Sequence, residues 1–375
     1  MSSRERLRIY YKCLIVSIAL LLFGSAMVMS ASAPYALERT GDAFYFFKRH
    51  AIYFCVGLGF FFFFRAQPPI RLKRIGKYLL LISIVLLVLV LIVGHEVNGS
   101  RRSLGYSGIR FQPSELARFA LIIYLADYLS RKRERISGVR LIKPAVVSGI
   151  IMLLLLLEPD FGSTFLVFLY TLTFLFLAGL NWKFIPGIVA AAMSGIVFLI
   201  KAEPYRWNRI LAFFHPESDP QGIGYQVIQA LITVGSGGWH GVGLGRGRQK
   251  LEFLPEAHKD YVFAVVGEEL GFIGACAVLI LFSALIISAF KISMRLRDPF
   301  ARYLSCGIGF YFAYQVLLHT GVVVKILPPK GTTLPFFSYG GSSLVIGMAA
   351  LGTLFGLIRS LEDEETDLEL CTEIY

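Results

Sequence analysis

Residues 250–290 read KLEFLPEAHKDYVFAVVGEELGFIGACAVLILFSALIISAF, in which a charged, proline-broken segment runs into a long apolar one. Within the apolar part, 262–290, the only charged residues are Glu268 and Glu269. A helix needs roughly 20 apolar residues to cross a hydrocarbon core about 30 Å thick. The stretch therefore predicts a membrane-spanning helix with a cluster of ionisable groups at its mouth.

The composition of the whole chain agrees with this prediction. Of its 375 residues, 56% are hydrophobic and 17% are charged, whereas a soluble domain is about 45–50% apolar and about 25% charged. We therefore predict an all-α polytopic membrane protein. Ten apolar runs fit helical spans: 12–30, 46–64, 78–94, 114–130, 144–157, 164–180, 184–200, 262–290, 300–324 and 342–359.

The chain is expected to form one membrane domain, 1–360, with a large outer loop, 201–261, between the seventh and eighth spans. The acidic tail, 361–375, reads LEDEETDLELCTEIY and is expected to be disordered and cytoplasmic. With a cytoplasmic N-terminus, the short inner segments are dense in Lys and Arg, as the positive-inside rule requires. The even number of spans then puts both termini in the cytoplasm.

The other basic residues gather in three segments predicted to face outward: 95–118, 201–261 and 325–341. The net charge of the chain is +12. Long loops escape the charge rule, so simple tolerance of these charges is one interpretation. The other is that the three segments converge on an anionic ligand, and the motifs around the charges favour it.

Paired arginines mark the first outer segment, VNGSRRSLGYSGIRFQPSELAR. Arg101 and Arg102 follow a turn signal at 98–100, and guanidinium groups bind phosphate oxygens bidentately. Glu115 is expected in the first turn of the next helix, where the positive end of the helix dipole favours a carboxylate.

Two carboxylates lie in the short turn EPDFGS, where Glu158 ends one span and Asp160 begins the next. Their spacing suits acid–base chemistry or the binding of a cation. Asp160 is equally suited to cap the following helix. Both interpretations stay open on the sequence.

The long loop holds two further basic motifs. RWNRILAFF, from residue 206, resembles an amphipathic interfacial helix with Arg209 on its polar face. GSGGWHGVGLGRGRQK, from residue 235, is glycine-rich and carries Arg246 and Arg248. Glycines let a backbone approach a ligand closely, but this motif lacks the G-K-[ST] of a phosphate-binding Walker loop. Residues 220–226, PQGIGYQ, are predicted to form another turn.

The last outer segment, KILPPKGTTLPFFSYGGSS, puts Lys330 after two prolines that stiffen the backbone. An outer-loop lysine is often merely solvated, but a rigid turn restricts this one to a defined position. The six histidines show no metal-binding spacing, so the sequence identifies no metal ligands. His319 is predicted to be a hydrogen-bonded residue inside the helix bundle.

Counting along a straight helix gives the depth of the groups in the opening stretch. About 20 residues back from Lys291, the outer membrane boundary falls near Gly271. Glu268 and Glu269 then lie at that boundary, where packing or hydrogen bonding is their expected role. If the helix continues at about 1.5 Å per residue, Asp260 lies above the bilayer. A carboxylate there could act as a general base on a lipid-anchored substrate.

Together these motifs resemble the SEDS family of polytopic cell-wall proteins. The resemblance covers nearly the whole chain, and its most specific blocks are DPQGIGYQVIQALITVGSGGWHGVGLGRGRQKLEFLPEAHKDYVFAVVGEELG and LPPKGTTLPFFSYGGSSL. It implies a peptidoglycan glycosyltransferase that polymerises lipid II, an undecaprenyl-pyrophosphate-linked disaccharide, on the outer face of the bacterial cytoplasmic membrane. It also implies a class B penicillin-binding protein, the cross-linking transpeptidase, as a partner, alongside other division or elongation proteins.

The resemblance assigns roles to individual residues. It implies that Asp260 is catalytic and that Glu252 and Lys330, which are important in the family, are further candidate catalytic residues. The block PPKGTTLPFFSYGGSS looks more like the division branch of the family than the elongation branch. Two positions depart from the family pattern: Ser103 stands where Trp is usual, and Lys259 stands where Thr is usual.

The expected chemistry is a single displacement with inversion. Asp260 would take the proton of an acceptor hydroxyl as that oxygen attacks the anomeric carbon of the donor, and pyrophosphate leaves without a dedicated acid. The candidate substrate-binding residues are Arg101, Arg102, Arg209, Arg246, Arg248 and Asp160, together with Lys330. The sequence specifies no cofactor, but a divalent cation, Mg²⁺ or Mn²⁺, could share this role. No nucleic-acid partner is expected.

Other functions stay open on the sequence. A lipid II flippase would keep ionisable groups at mid-membrane depth, whereas the charges here lie in outer loops. A structural recruiter of other wall enzymes is a further alternative. If the protein is an enzyme, it could be the polymerase of cell elongation as an alternative to the polymerase of cell division.

Overall fold

The structure, a computed structural model, describes residues 3–97, 100–106, 109–131, 141–201, 211, 213–218, 222–248, 254 and 256–373. Its α-helices are α1 (Ser3–Thr40), α2 (Tyr45–Arg65), α3 (Pro69–Val93), α4 (Pro113–Ser130), α5 (Ile142–Leu157), α6 (Phe161–Leu177), α7 (Ile185–Lys201), α8 (Ile223–Ser236), α9 (Val262–Arg295), α10 (Pro299–Val323) and α11 (Gly341–Glu373). Short 3-10 helices occupy Trp182–Phe184 and Pro216–Ser218. Each of the ten predicted spans is thus a helix. In addition, α8 forms where the sequence predicted only a turn.

The helices form the bundle of a multi-pass membrane protein. Among the described residues, six helices are long and apolar enough to cross a membrane by length and composition: α1, α2, α3, α9, α10 and α11. The apolar helices α5 and α6 are shorter. Most of α4 is buried, since α3, α6, α10 and α11 pack around it. Because protein surrounds α4 in place of lipid, this helix can carry charged residues that a lipid-facing helix would expose.

Two glycines bring α2 and α11 into close contact. An alanine at Gly352 would overlap the backbone of Phe61, and the Cβ of one at Gly356 would lie 2.9 Å from the carbonyl oxygen of Arg65. The Gly-x-x-x-Gly spacing therefore lets the two backbones touch. Close van der Waals packing of this kind drives helix association in lipid, where no hydrophobic effect acts between helices.

A small antiparallel sheet, which the sequence analysis did not predict, covers the first outer segment. It has the order β1 (His95–Val97), β2 (Ser100–Tyr106) and β3 (Ile109–Phe111). The addition is local, and the all-α class of the bundle is confirmed. The sheet matters for the site because Arg101 and Arg102 lie on strand β2, where successive side chains point to opposite faces.

Contacts between helix ends agree with the predicted topology. Arg295, at the end of α9, pairs with Glu5 at the start of α1, and Lys73 lies 3.7 Å from Asp298. All four residues come from segments predicted to face the cytoplasm. The segments predicted to face outward also contact one another, and these contacts form the candidate site.

The acidic tail is not disordered as predicted, because α11 continues through it as a helix to Glu373. The tail sequence LEDEETDLEL is rich in Leu and Glu, which favour helix. Extending an existing helix also avoids the cost of a new nucleus. The division into a membrane domain, 1–360, and a tail, 361–375, stays a prediction.

The helix of the opening stretch, α9, is broken. Gly271 has φ 68° and ψ −169°, a conformation that is essentially restricted to glycine. Residues 261–269, before the break, are all buried, whereas Phe272 and Ile273 after it are 58% and 53% exposed. The helix is therefore not straight as the depth count assumed, and the chain before the break lies inside the protein; the position of Asp260 above the bilayer stays a prediction. We call residues 262–269 the buried segment of α9.

Candidate active site

Lys330 reaches from the α10–α11 loop to the start of α6. Its Nζ donates a hydrogen bond to the carbonyl oxygen of Gly162 at 2.7 Å and lies 5.4 Å from the ring centre of Phe165. An alanine Cβ at Gly162 would come within 2.6 Å of Lys330 Cε, so a side chain there would displace the end of Lys330. Burial lowers the pKa of Lys330 to about 7, and the charge of Asp160 opposes this shift. Lys330 is therefore held in a defined, half-buried position.

Asp160 caps α6, which confirms one of the two interpretations of the EPDFGS turn. Its carboxylate accepts hydrogen bonds from the backbone N–H of Ser163 at 3.0 Å and from the Ser163 hydroxyl at 2.8 Å. Gln112 Nε2 donates to the same carboxylate at 3.4 Å. Burial raises the pKa of Asp160, but Arg102 and the bonds from Ser163 outweigh it and hold the pKa below its usual value. The capping carboxylate thus stays ionised beside Lys330.

Arg102 joins the same turn from β2. Its guanidinium donates a hydrogen bond to the carbonyl oxygen of Pro159 and acts electrostatically on Glu158 and Asp160. Burial raises the pKa of Glu158 to about 8, Asp160 adds to the rise, and Arg102 opposes it. At neutral pH the turn therefore holds a protonated Glu158 and an ionised Asp160. We call Arg102, Glu158, Asp160 and Lys330 the charged cluster.

The paired arginines of the first outer segment separate in the structure. Arg102 reaches the charged cluster, whereas Arg101 is exposed and lies opposite Glu96 in the β1–β2 register. The reason is the alternation of side chains along a strand, which sends neighbours to opposite faces. The sheet that sequence reasoning missed therefore decides which of the two arginines contacts the site.

A buried ion pair on α4 acts on the charged cluster. Glu115, in the first turn of α4 as predicted, pairs with Arg118, and both side chains are buried. The Arg118 charge favours ionised Asp160 and disfavours protonated Lys330. Sequence reasoning did not single out Arg118. The i,i+3 spacing from Glu115 is the signal that could have found it.

Asp260 lies against the residue that follows Lys330. An alanine Cβ at Gly331 would be 3.0 Å from Asp260 Oδ2 and 3.4 Å from Oδ1. The backbone N–H of Asp260 donates to the carbonyl oxygen of Glu256 at 3.2 Å, which closes the turn before α9. Residues far apart in sequence, Asp260 and Lys330, therefore meet at one glycine. These are two of the three residues for which a catalytic role is predicted.

His258 anchors the turn before α9. Its buried ring lies among the rings of Tyr35, Phe46 and Tyr339, with centroids 5.1, 5.0 and 5.8 Å away. Its carbonyl oxygen accepts the N–H of Tyr339 at 2.8 Å. Burial, assisted by the charge of Lys259, lowers the pKa of His258 to about 3, so the ring is neutral. Sequence reasoning missed this cluster because its members come from three separate parts of the chain.

Hydrogen bonds within the bundle fix the loop that carries Lys330. A ring nitrogen of His319 lies 2.6 Å from the carbonyl oxygen of Thr332, which confirms the predicted bundle role of this histidine. Further along, the hydroxyl of Thr333 donates to that of Ser343 at 2.9 Å. The loop is thus tied to α10 on one side and to α11 on the other.

Lys259, which departs from the family pattern, forms an ion pair with Glu256 at 3.0 Å. The side chains of Lys259 and Glu256 are 35% and 42% exposed. An exposed ion pair of this kind contributes about 0–1 kcal/mol. The departure therefore has a local partner at the surface.

The glycine-rich motif forms a loop that packs against α9. We call residues 237–248 the glycine loop. An alanine at Gly237 would overlap the carbonyl oxygen of Gly267, and Arg246 and Arg248 of the loop are exposed. The glycines were predicted to allow close approach to a ligand. In the structure they allow close approach to the backbone of α9.

Glu268 and Glu269 are buried and bind the glycine loop. Glu268 Oε1 accepts the backbone N–H of Arg248 at 2.7 Å, and Glu269 Oε2 accepts that of Gly245 at 3.1 Å. The hydroxyl of Ser30, on α1, also donates to Glu269 at 2.7 Å. The expected hydrogen-bonding role of the two glutamates is confirmed, with the glycine loop as the partner.

Two predicted site residues, Glu252 and Arg209, lie outside the described residues, as does most of the predicted interfacial helix around Arg209. Within the described ranges, no group of three or more His, Cys, Asp or Glu side chains is placed to hold a metal ion.

Comparison with known proteins identifies the family. The pattern of the FtsW/RodA/SpoVE family, described as cell cycle proteins, matches residues 11–363. The chain belongs to this family. FtsW, RodA and SpoVE are members of the SEDS family, so the SEDS resemblance predicted from the motifs is confirmed, and the match extends over nearly the full length.

Relatives and solved structures agree with this family assignment. "Probable peptidoglycan glycosyltransferase FtsW" of Aeromonas salmonicida (strain A449) is 41% identical over 347 residues, which cover 91% of this chain and 88% of the relative. A chain from the structure described as "Structural coordination of polymerization and crosslinking by a peptidoglycan synthase complex" matches with TM-score 0.78 and 30% identity, over 94% of this chain and 98% of that one. The rod shape determining protein RodA of Thermus thermophilus matches with TM-score 0.68 and 27% identity, over 92% and 95%.

Proposed function

We propose that this protein is a peptidoglycan glycosyltransferase that polymerises lipid II into glycan strands for the septal wall. The observation that carries the proposal is the meeting of Asp260 with the Lys330 turn at Gly331. A carboxylate able to accept a proton then lies against the turn that carries Lys330, a cation able to bind phosphate oxygens. The identity to relatives named FtsW supports the division role over elongation.

In the proposed reaction Asp260 acts as the general base. Its carboxylate takes the proton of the acceptor sugar hydroxyl while that oxygen forms a bond to the anomeric carbon of the donor. The bond from this carbon to the diphosphate oxygen breaks, and the diphosphate leaves with the electron pair. A single displacement of this kind inverts the configuration at the anomeric carbon.

The charged cluster is the proposed site for the diphosphate. Lys330 has a pKa of about 7 in the unliganded site, and an anion within about 4–6 Å would favour its protonated form. Arg102 adds a permanent positive charge beside it. A divalent cation could share this role, with Asp160 as the available carboxylate.

We further propose that the protein resides in the bacterial cytoplasmic membrane with both termini in the cytoplasm. The pairing of Glu5 with Arg295 supports this arrangement, since it joins the N-terminus to a predicted inner segment. The proposed partner is a class B penicillin-binding protein. The likeness to a chain of a peptidoglycan synthase complex supports such a partner.

Polymerisation of labelled lipid II by the purified protein in nanodiscs, with and without the transpeptidase, tests the proposal. We expect glycan strands from the wild type and none from Asp260→Asn, which keeps the shape of the side chain but cannot accept the proton. Asp42→Asn is the matched control, because Asp42 is an outer carboxylate bonded to Lys48 in the α1–α2 turn.

Three results would contradict the proposal in different ways. Near-normal strands from folded Asp260→Asn would remove the general base. Movement of labelled lipid II across liposomes without polymer would identify a flippase. Cell division sustained by Asp260→Ala would indicate a recruiter of other enzymes.

A further inference from the structure

At the break in α9 the glycine loop replaces the missing hydrogen-bond acceptors. In an unbroken α-helix each N–H bonds to the carbonyl four residues earlier. After Gly271, the N–H of Phe272 donates instead to the carbonyl oxygen of Gly238 at 2.8 Å, and the N–H of Ile273 donates to that of Trp239 at 3.2 Å. The loop therefore supplies both acceptors that the break takes away.

The two carbonyl groups left over by the break are bonded to the same loop. The carbonyl oxygen of Glu268 accepts the N–H of Val242 at 3.0 Å, and that of Glu269 accepts the N–H of Gly243 at 2.9 Å. A buried backbone group without a partner would cost about 1–3 kcal/mol. Four backbone hydrogen bonds thus join the glycine loop to α9 and stabilise the break. We call this set of four bonds the splice.

The splice requires glycine at specific positions. The Cβ of an alanine at Gly271 would lie 2.6 Å from the carbonyl oxygen of Trp239. An alanine at Gly241 would overlap the carbonyl oxygen of Glu269. The side chains of Glu268 and Glu269 add two further bonds to loop N–H groups, so backbone and side chains hold the same loop.

The angle of the break affects the position of Asp260, because the buried segment of α9 connects Gly271 to Asp260. The stretch from Gly271 to Asp260 is about 16 Å long at about 1.5 Å per residue. By simple geometry, a tilt of about 10° at the break displaces Asp260 by about 3 Å at that length. A misplacement of about 1 Å can lower the rate of a reaction about 100-fold.

We propose that the glycine loop, with Glu268 and Glu269, is a positioning device that fixes the angle of the buried segment and so keeps Asp260 against the Lys330 turn. Its effect on turnover rests on the proposed function, whereas the splice itself does not. Both glutamates are positioning residues in this proposal, because they bind the glycine loop and act through Asp260.

Hydrogen exchange followed by mass spectrometry tests the splice in the wild type. The amides of Val242 and Gly243, in a loop, should exchange as slowly as amides within α9, because they are bonded to its carbonyl groups. Glu269→Ala should speed their exchange. Glu269→Gln should restore most of the protection, since its amide oxygen still accepts hydrogen bonds. Exchange of the wild-type amides at the rate of a free loop would overturn the proposal.

Turnover separates positioning from substrate binding. We expect Glu269→Ala to lower the kcat of lipid II polymerisation about tenfold or more with little change in KM, and Glu269→Gln to recover most of it. Glu38→Ala, at an exposed site on α1, is the matched control. A rise in KM with kcat unchanged would overturn the proposal, because it would mean that the loop serves to bind substrate through Arg246 and Arg248.

A distance measurement keeps the test independent of the enzyme assignment. Spin labels at Lys259→Cys and Ile326→Cys, in a chain whose native cysteines are replaced by alanine, report on the turn before α9 and on the Lys330 loop. We expect one narrow distance distribution with Glu269 present and a broader or shifted one in Glu269→Ala. An unchanged distribution would overturn the positioning role. Absence of polymer from the wild type would refute the proposed function and leave this readout intact.

Discussion

The charged cluster and the glycine loop both carry basic residues in segments predicted to face outward, but different forces hold them. In the charged cluster, side chains from three segments of the chain are brought together, and burial and their mutual electrostatic effects shift the pKa values of Glu158, Asp160 and Lys330. The glycine loop is held mainly through its backbone, and its arginines stay exposed. Similar charge in the sequence therefore does not indicate a similar role, and substitutions should affect the two regions in different ways.

The largest effect is expected at the ion pair that supports the charged cluster. Arg118→Met leaves Glu115 as an uncompensated buried charge, which should cost about 3–5 kcal/mol of stability. Thermal unfolding of the purified protein in detergent measures this loss. The double variant with Glu115→Leu removes both charges and should recover much of it. A single variant as stable as the wild type would show that the pair does not support the site.

The next effect concerns backbone contact at the glycine loop. Gly237→Ala should destabilise the protein by about 1–3 kcal/mol, because the new Cβ overlaps the carbonyl oxygen of Gly267. Gly235→Ala, in α8, adds a Cβ that meets nothing within 4 Å and should be neutral or slightly stabilising. Thermal unfolding of the two variants side by side is the measurement. Equal stability would contradict the close approach.

The pH dependence of activity tests the charge of Lys330 in the charged cluster. Lys330, with a pKa lowered to about 7, is charged below that pH and neutral above it. The kcat/KM of lipid II polymerisation should therefore fall as pH rises past about 7, approaching about tenfold per pH unit. The guanidinium of the Lys330→Arg variant stays protonated, so this variant should not show the fall in kcat/KM. A wild-type profile that stays flat up to pH 9, about two units higher, would exclude the proposed role of the ammonium charge.

The smallest effect is expected at the surface pair beside Asp260. Lys259→Thr should change stability by about 0–1 kcal/mol, since the pair with Glu256 is exposed. A double-mutant cycle with Glu256→Ala, followed by thermal unfolding, isolates the interaction energy. A coupling well above this range would mean that Lys259 stabilises the turn before α9.

Sequence reasoning predicted much of the site because the relevant residues lie in rigid, recognisable motifs. Lys330 follows two prolines, Asp160 lies at a helix start, and both occupy the predicted places. It missed Arg118 and the partners of His258, because their roles depend on contacts between distant segments. It also could not separate Arg101 from Arg102, since the strand that divides them was not predicted.

Hydrophobicity alone determined ten of the helices described in this protein, because an apolar stretch within a lipid core must satisfy its backbone within a helix. The charged segments likewise predicted a topology with which two contacts between helix ends agree. Only the tertiary structure decided that α9 breaks at Gly271. A helix break depends on whether another segment can bond the freed backbone groups, and here the glycine loop supplies them. The position of Asp260 follows from that long-range pairing, which hydrophobic pattern and spacing do not specify.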